Sequence, residues 1–193
     1  MAKASAAPAT IAIVCGMGNP DADYERTRHN AGFATVDVLA ARHGVRYWKS
    51  EAGAQVASLT WRGADGEQRE VLLAKPMSYM NTSGGPLSKL ARAHRVAPQQ
   101  ILVVHDEVDL AAGEVRLKLG GGLNAHNGLR SIADKLGSRD FARVQFGIGR
   151  PPGKMQVADY VLRELKGGFL DEFNITAERA ADLVERILTE GVK

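Results

Sequence analysis

Ile11-Ala12-Ile13-Val14-Cys15, then Gly16-Met17-Gly18-Asn19-Pro20, then Arg28-His29-Asn30-Ala31-Gly32-Phe33: an apolar run breaks at glycines and a proline, and a helical pattern begins soon after. The apolar run predicts a buried strand over 11–15. Phe33, Val36, Leu39 and Ala40 recur at helical spacing and Gly44 follows as a left-handed stop, which predicts a helix over about 30–43. This β-α unit delivers a histidine between polar neighbours beside the carboxyl end of a strand. Open α/β sheets bind ligands in the crevice outside such strand ends, so His29, with Asn19 and Asn30 near it, marks a candidate site.

The alternation continues along the chain. Ala54 to Trp61 and Glu70 to Ala74, joined by the turn-like Arg62-Gly63-Ala64-Asp65-Gly66, predict an antiparallel hairpin. Ser83-Gly84-Gly85-Pro86 leads into a helix carrying Leu87, Leu90 and Ala91, with the proline suited to a first turn. Ile101 to His105 is a buried strand ending in Asp106-Glu107-Val108-Asp109, and Glu114 to Leu119 alternates strictly, placing Arg116 and Lys118 on one face. Gly120-Gly121-Gly122 forms a loop that can move. A helix over His126–Leu136, a strand around Val144–Ile148 and a last helix over about 177–189 complete the pattern. Strands alternating with helices predict a three-layer α/β/α fold whose central sheet is mixed but largely parallel.

At 193 residues and 45% hydrophobic content the chain can build one sizeable core, and no low-complexity stretch divides it. One domain over 11–193 is expected, behind a flexible tail of small and polar residues over 1–10. That tail lacks the long apolar stretch of a secretory signal, and no apolar run reaches the roughly 18 residues of a membrane span. The lone cysteine, Cys15, excludes an intrachain disulfide and fits a reducing, cytoplasmic setting. A net charge of +3 is compatible with a phosphate or nucleic-acid partner without requiring one.

Taken singly, an Asn before Pro is a turn residue, an Asn at a helix start is a cap, and a lone His is a surface or capping group. Asp106 changes that balance. A carboxylate at the end of a buried strand can hold a histidine in one tautomer and stabilise its imidazolium, which makes the ring a competent general base. Asn19, His29, Asn81, Asp106 and Asn127 all fall at strand ends or helix starts and are expected in one polar pocket, where amides supply orienting and oxyanion contacts. No Gly-x-Ser-x-Gly elbow exists and the cysteine lies in a core strand, so the base acts on water rather than through a covalent intermediate. The glycines at 16 and 18 lack the third of a dinucleotide fingerprint, which disfavours a nucleotide-dependent oxidoreductase, and no Gly-Lys-Ser/Thr of a P-loop is present. His105 to Asp109 lacks metal-ligand spacing, so no metal is expected. Arg116 and Lys118, ahead of the triple glycine, could grip a phosphate.

Several ordered blocks now combine: Gly16-x-Gly18-Asn19-Pro20 with Tyr24 and Thr27-Arg28-His29-Asn30-Ala31-Gly32, Lys75-Pro76 through Met80-Asn81-x-Ser83-Gly84, His105-Asp106-Glu107-x-Asp109-Leu110, Lys118-x-Gly120-Gly121-Gly122, His126-Asn127-Gly128-Leu129 and Gly147-Ile148-Gly149-Arg150-Pro151. From about Ile11 to the final helix the chain closely resembles bacterial peptidyl-tRNA hydrolases. The resemblance implies a cytoplasmic, monomeric carboxylic ester hydrolase without cofactor or obligate protein partner. It would cleave the ester between a peptide and the 3′ ribose of tRNA, recycling tRNA dropped by stalled ribosomes. By matching position, His29 is the general base and Asp106 its support, while Asn19 discriminates blocked from unblocked aminoacyl-tRNA. Asn81 and Asn127 contact the peptide, the water or the tRNA end, and Tyr24 and Tyr79 line the channel for the acceptor end. Lys118, with Arg116 beside it, matches the clamp on the tRNA 5′ phosphate.

Three departures stand out. The family's Glu or His followed by two glycines is here Leu123-Asn124-Ala125, which predicts a stiffer loop. Gln145 replaces a second arginine of the phosphate clamp, predicting a weaker grip. The chain stops at Lys193, short of the family's Asn-Arg-containing tail, an expected effect on stability more than on catalysis. Relatives of this fold also act as RNA-splicing partners with little hydrolysis, so a binding protein is the rival reading.

Overall fold

The structure, a computed structural model, describes residues 9–192. All but the last two residues of the expected 1–10 tail lie outside them. Seven strands form one sheet in the order β2-β3-β4-β1-β5-β7-β6: β1 (Ile13–Gly16), β2 (Lys49–Glu51), β3 (Ala54–Arg62), β4 (Gln68–Pro76), β5 (Ile101–Glu107), β6 (Val115–Leu119) and β7 (Ala142–Gly147). Parallel pairing occupies the centre, where β1 lies between β4 and β5 and β5 pairs with β7. Antiparallel pairing occupies the flanks, in β2 with β3, β3 with β4, and β6 with β7. The expected hairpin is the β3–β4 pair.

Period-2 alternation divides the apolar residues between two cores. Val14, Leu102, Val104, Val144 and Phe146 face α1 (Ala31–Arg42) and α5 (Gly167–Glu190). Ile13, Cys15, Ile101 and Val103 face α2 (Gly84–Ala93) and α3 (Asn127–Leu136). Central β5 is buried at all seven positions, as a strand covered on both faces requires.

Some boundaries differ from the sequence expectation. The last helix starts ten residues earlier than 177, because Phe173 and Thr176 already bury a face that the polar, glycine-led start conceals. A short helix, α4 (Val157–Leu162), follows Pro151-Pro152 and is too brief to show a period. His29 lies not on α1 but in a 3-10 turn, Arg28–Asn30, leading into it.

That turn is placed by close backbone contact. A Cβ on Gly32 would lie 2.2 Å from the Met17 nitrogen and 2.3 Å from the Val104 oxygen, and one on Gly16 would lie 2.3 Å from the Gly32 oxygen. Only glycines let α1 descend onto the β1 terminus, so His29 arrives beside the end of β5.

Candidate active site

Asp106, buried near the end of β5, gives one carboxylate oxygen to each of two imidazoles. Its Oδ2 is 2.9 Å from His29 Nδ1, and its Oδ1 is 2.8 Å from His126 Nε2. The two rings lie 5.5 Å apart between centroids. His126 caps α3, and its Nδ1 accepts the Leu129 backbone N–H at 3.3 Å, so the His126 proton sits on Nε2 and is donated to Asp106. Burial opposes ionisation of Asp106, but the two histidines outweigh it and hold the carboxyl well below the usual range. An ionised Asp106 can only accept, so His29 donates from Nδ1 and keeps a lone pair on Nε2. Burial works against a proton on His29, yet the Asp106 charge and hydrogen bond prevail, and its pKa stands above the ordinary 6.5.

The ligating atoms of His29, Asp106 and His126 lie within 4.8 Å of one another, a set of the size a metal ion needs. The hydrogen bonds instead fill it with protons. A metal at His126 Nε2 would displace the proton given to Asp106 while the other ring nitrogen is occupied by Leu129, so the donor set does not fit a cation.

His29 and Asp106 open into a cavity of about 500 Å³, shared with Asn124, His126 and Asn127. Its far wall is apolar, from Val108 and the α4 residues Val157, Val161 and Leu162. Arg150, paired with Asp109, stands at its rim.

Asn19 is held from several sides. Asn30 accepts from the Asn19 backbone N–H at 2.8 Å and donates to the Asn19 carbonyl at 2.9 Å. The Asn19 side-chain oxygen accepts from Met80 N at 2.8 Å, which leaves its amide N–H groups to donate. Asn19 and Asn30 line a second concavity on the other side of the turn, with Phe33 and Lys75.

The five residues expected in one pocket therefore divide. His29, Asp106 and Asn127 share a cavity, Asn19 borders the second concavity, and Asn81 is exposed in the turn whose first residue, Met80, Asn19 holds. Tyr79 is exposed and its hydroxyl donates to Asp21 at 3.3 Å, while Tyr24 is half-buried; neither lines the His29 cavity. Arg116 and Lys118 lie on β6 opposite Gln145 and Arg143.

Two residues escaped sequence reasoning as parts of the site: His126 and Arg143. The signal for His126 was the one used for His29, a histidine at a helix start followed by asparagine. Arg143 interrupts an apolar strand and is fully buried; its guanidinium donates to the carbonyls of Gly120 and Gly122, mooring the glycine loop to β7. Asn124 and Ala125 adopt φ of 49° and 58°, the left-handed geometry that glycine accommodates best, and Leu123 is buried in the α2–α3 core. Burial raises the Cys15 thiol to about 12, which leaves it inert as a nucleophile. Among the described residues no hydroxyl or thiol hydrogen-bonds to His29.

Fold and site define a class: α/β proteins that present a carboxylate-held imidazole at the carboxyl ends of central strands, with a lone pair facing an open cavity. Within it, the chain belongs to the peptidyl-tRNA hydrolase family, whose model matches residues 13–193. It is 47% identical over 181 residues to the peptidyl-tRNA hydrolase of Frankia alni, covering 94% of this chain and 89% of that one. It is 49% identical to that of Nocardia farcinica, covering 94% and 92%. The crystal structure of peptidyl-tRNA hydrolase from Acinetobacter baumannii superposes with a TM-score of 0.83 at 33% identity, over 95% of this chain and 91% of that one.

Proposed function

We propose that this chain hydrolyses the ester between a peptide and the 3′ ribose of tRNA, returning free tRNA from peptidyl-tRNA dropped by stalled ribosomes. The observation that carries the reading is the double anchoring of Asp106, which fixes His29 with its Nε2 lone pair toward the cavity. His29 takes a proton from water as the oxygen attacks the ester carbonyl, and Asp106 stabilises the imidazolium that forms. The tetrahedral intermediate collapses, the bond to the ribose oxygen breaks, and that oxygen takes the proton back from His29. Water, ester and imidazole balance the reaction, so no cofactor enters.

Asn127, in the same cavity, orients the water or the carbonyl oxygen, and Asn19, with its amide N–H groups spare, reads the blocked peptide nitrogen. Asn81, Tyr24 and Tyr79 contact the peptide and acceptor end from the rim, and Lys118 with Arg116 holds the 5′ phosphate region. The reading includes a cytoplasmic monomer with no obligate protein partner, with which the buried free thiol of Cys15 agrees. No described helix is long and apolar enough to cross a membrane.

The test is release of tRNA from N-acetyl-aminoacyl-tRNA and from its unblocked counterpart, by the wild-type chain and by His29→Ala. Cleavage of the blocked ester alone, reduced at least a hundredfold in the variant, supports the reading. A fully active His29→Ala sinks the mechanism.

A further inference from the structure

The turn that carries His29 is held from a side that Asp106 does not touch. The Arg28 guanidinium carbon stands 4.0 Å from the centre of the Tyr160 ring and 5.9 Å from that of Phe169. Arg28 is half-buried and makes no ion pair among the described residues, although Glu172 lines the same small cavity of about 90 Å³. A planar, weakly hydrated guanidinium gains from lying on an aromatic face, so the stack rather than a carboxylate fixes this side chain. The backbone just before it is stapled as well. The Leu165 N–H donates to the Arg26 carbonyl at 2.7 Å, and Thr27 pairs with Glu164 in an antiparallel bridge.

These contacts close a circuit around the site. The Tyr160 hydroxyl donates to the Ile148 carbonyl at 2.6 Å, the Ile148 N–H donates to the Glu107 carbonyl at 3.0 Å, and Glu107 follows Asp106 in β5. From Asp106 the path runs through Ile148, Tyr160 and Arg28 back to His29, whose ring meets Asp106 at 2.9 Å. Tyr160 lies on α4, and the same helix gives Val157, Val161 and Leu162 to the far wall of the His29 cavity, so one element sets both the wall and the base. Arg28 itself does not line that cavity.

We propose that Arg28 is a positioning residue: stacked on Tyr160, it fixes the Arg28–Asn30 turn so that the His29 ring stays in range of Asp106 with its Nε2 aimed into the cavity. The proposal rests on the function given above and adds what holds the base from behind. The hydrogen bond to Asp106 tethers the ring at Nδ1 alone, and the swing of Nε2 about that tether is set by where the backbone stands. A reacting group misplaced by about 1 Å can lose on the order of a hundredfold in rate.

The experiment compares wild type, Arg28→Ala, Tyr160→Leu and the double variant in kcat and KM on N-acetyl-aminoacyl-tRNA. The imidazole nitrogen resonances of His29, assigned by their loss in His29→Ala, are read in parallel. Arg28→Ala is expected to lower kcat at least about tenfold with KM within about twofold of wild type, and to move the His29 resonances toward the tautomer-averaged position. The double variant is expected to be no more than about twofold slower than the slower single variant, because both break one contact. If either variant does not fold, Arg28→Lys carries the test: it keeps the charge without the planar stack, so kcat is expected at least about threefold below wild type, and full activity overturns the proposal. Wild-type kcat in a folded Arg28→Ala, a loss confined to KM, or unmoved His29 resonances each overturn it as well. A wild type that leaves N-acetyl-aminoacyl-tRNA intact overturns the underlying function instead, while the His29 resonances still report whether Arg28 holds the ring.

Discussion

Asp106 organises the site through its two oxygens, and the pH dependence follows from the ring it holds. As the proposed base His29 must be neutral, and its pKa lies above 6.5, so activity is expected to be lost as pH falls through that raised value. The acid limb of kcat/KM is expected above pH 6.5, and a limb below that value would contradict the Asp106 coupling. Asn30 acts one step removed, by holding the Asn19 backbone in both directions. Asn30→Ala strands a buried N–H and a buried carbonyl, at a cost of roughly 2–4 kcal/mol, and lets Asn19 drift. A urea midpoint unchanged from wild type would refute that account; kcat/KM should fall about tenfold or more alongside it.

Among the elements, the segment between the triple glycine and α3 is held at several points. Arg143 ties its start to β7, Leu123 is sunk in a core, and Asn124 and Ala125 take left-handed backbone without being glycine. A β-carbon there costs about 1 kcal/mol, partly offset by the lower unfolded-state entropy that alanine brings. Ala125→Gly is expected to stabilise the fold by roughly 0.5 kcal/mol, read as a rise in urea midpoint; a fall would mean that the alanine methyl packs favourably. The β-α alternation, the hairpin and the pairing of His29 with Asp106 were legible, since each depends on local period or on a motif. α4 and the first ten residues of α5 were not, because α4 has six residues and the start of α5 has too few apolar positions to display a helical face. The partnership of His126 with Asp106 was hidden for another reason: it joins residues 20 apart through a loop whose path no pattern encodes.

At the scale of the molecule, acid stability is tied to His105. It is fully buried in β5, where burial above all, with His126 nearby, pushes its pKa down to about 3. Between pH 6.5 and 3 the unfolded chain therefore binds a proton at this position that the folded chain refuses, and stability declines as pH falls through that window. The loss reaches on the order of 4 kcal/mol at pH 3. In His105→Asn, whose amide can still donate to the Asp106 carbonyl, unfolding free energy should be lower at pH 7 but shallower in its decline toward pH 4. Equal slopes in urea titrations would exclude His105 as the source.

The sheet also has two open margins, β2 and β6, and each exposes a row of unpaired backbone groups on which another extended chain could grow. The first is three residues long and bears Lys49 and Glu51; the second alternates Arg116 and Lys118 with its apolar positions. Two copies meeting along β6 would align cations with cations, so this margin is poorly able to template fibrils, and the side chains proposed to hold a phosphate would also serve colloidal stability.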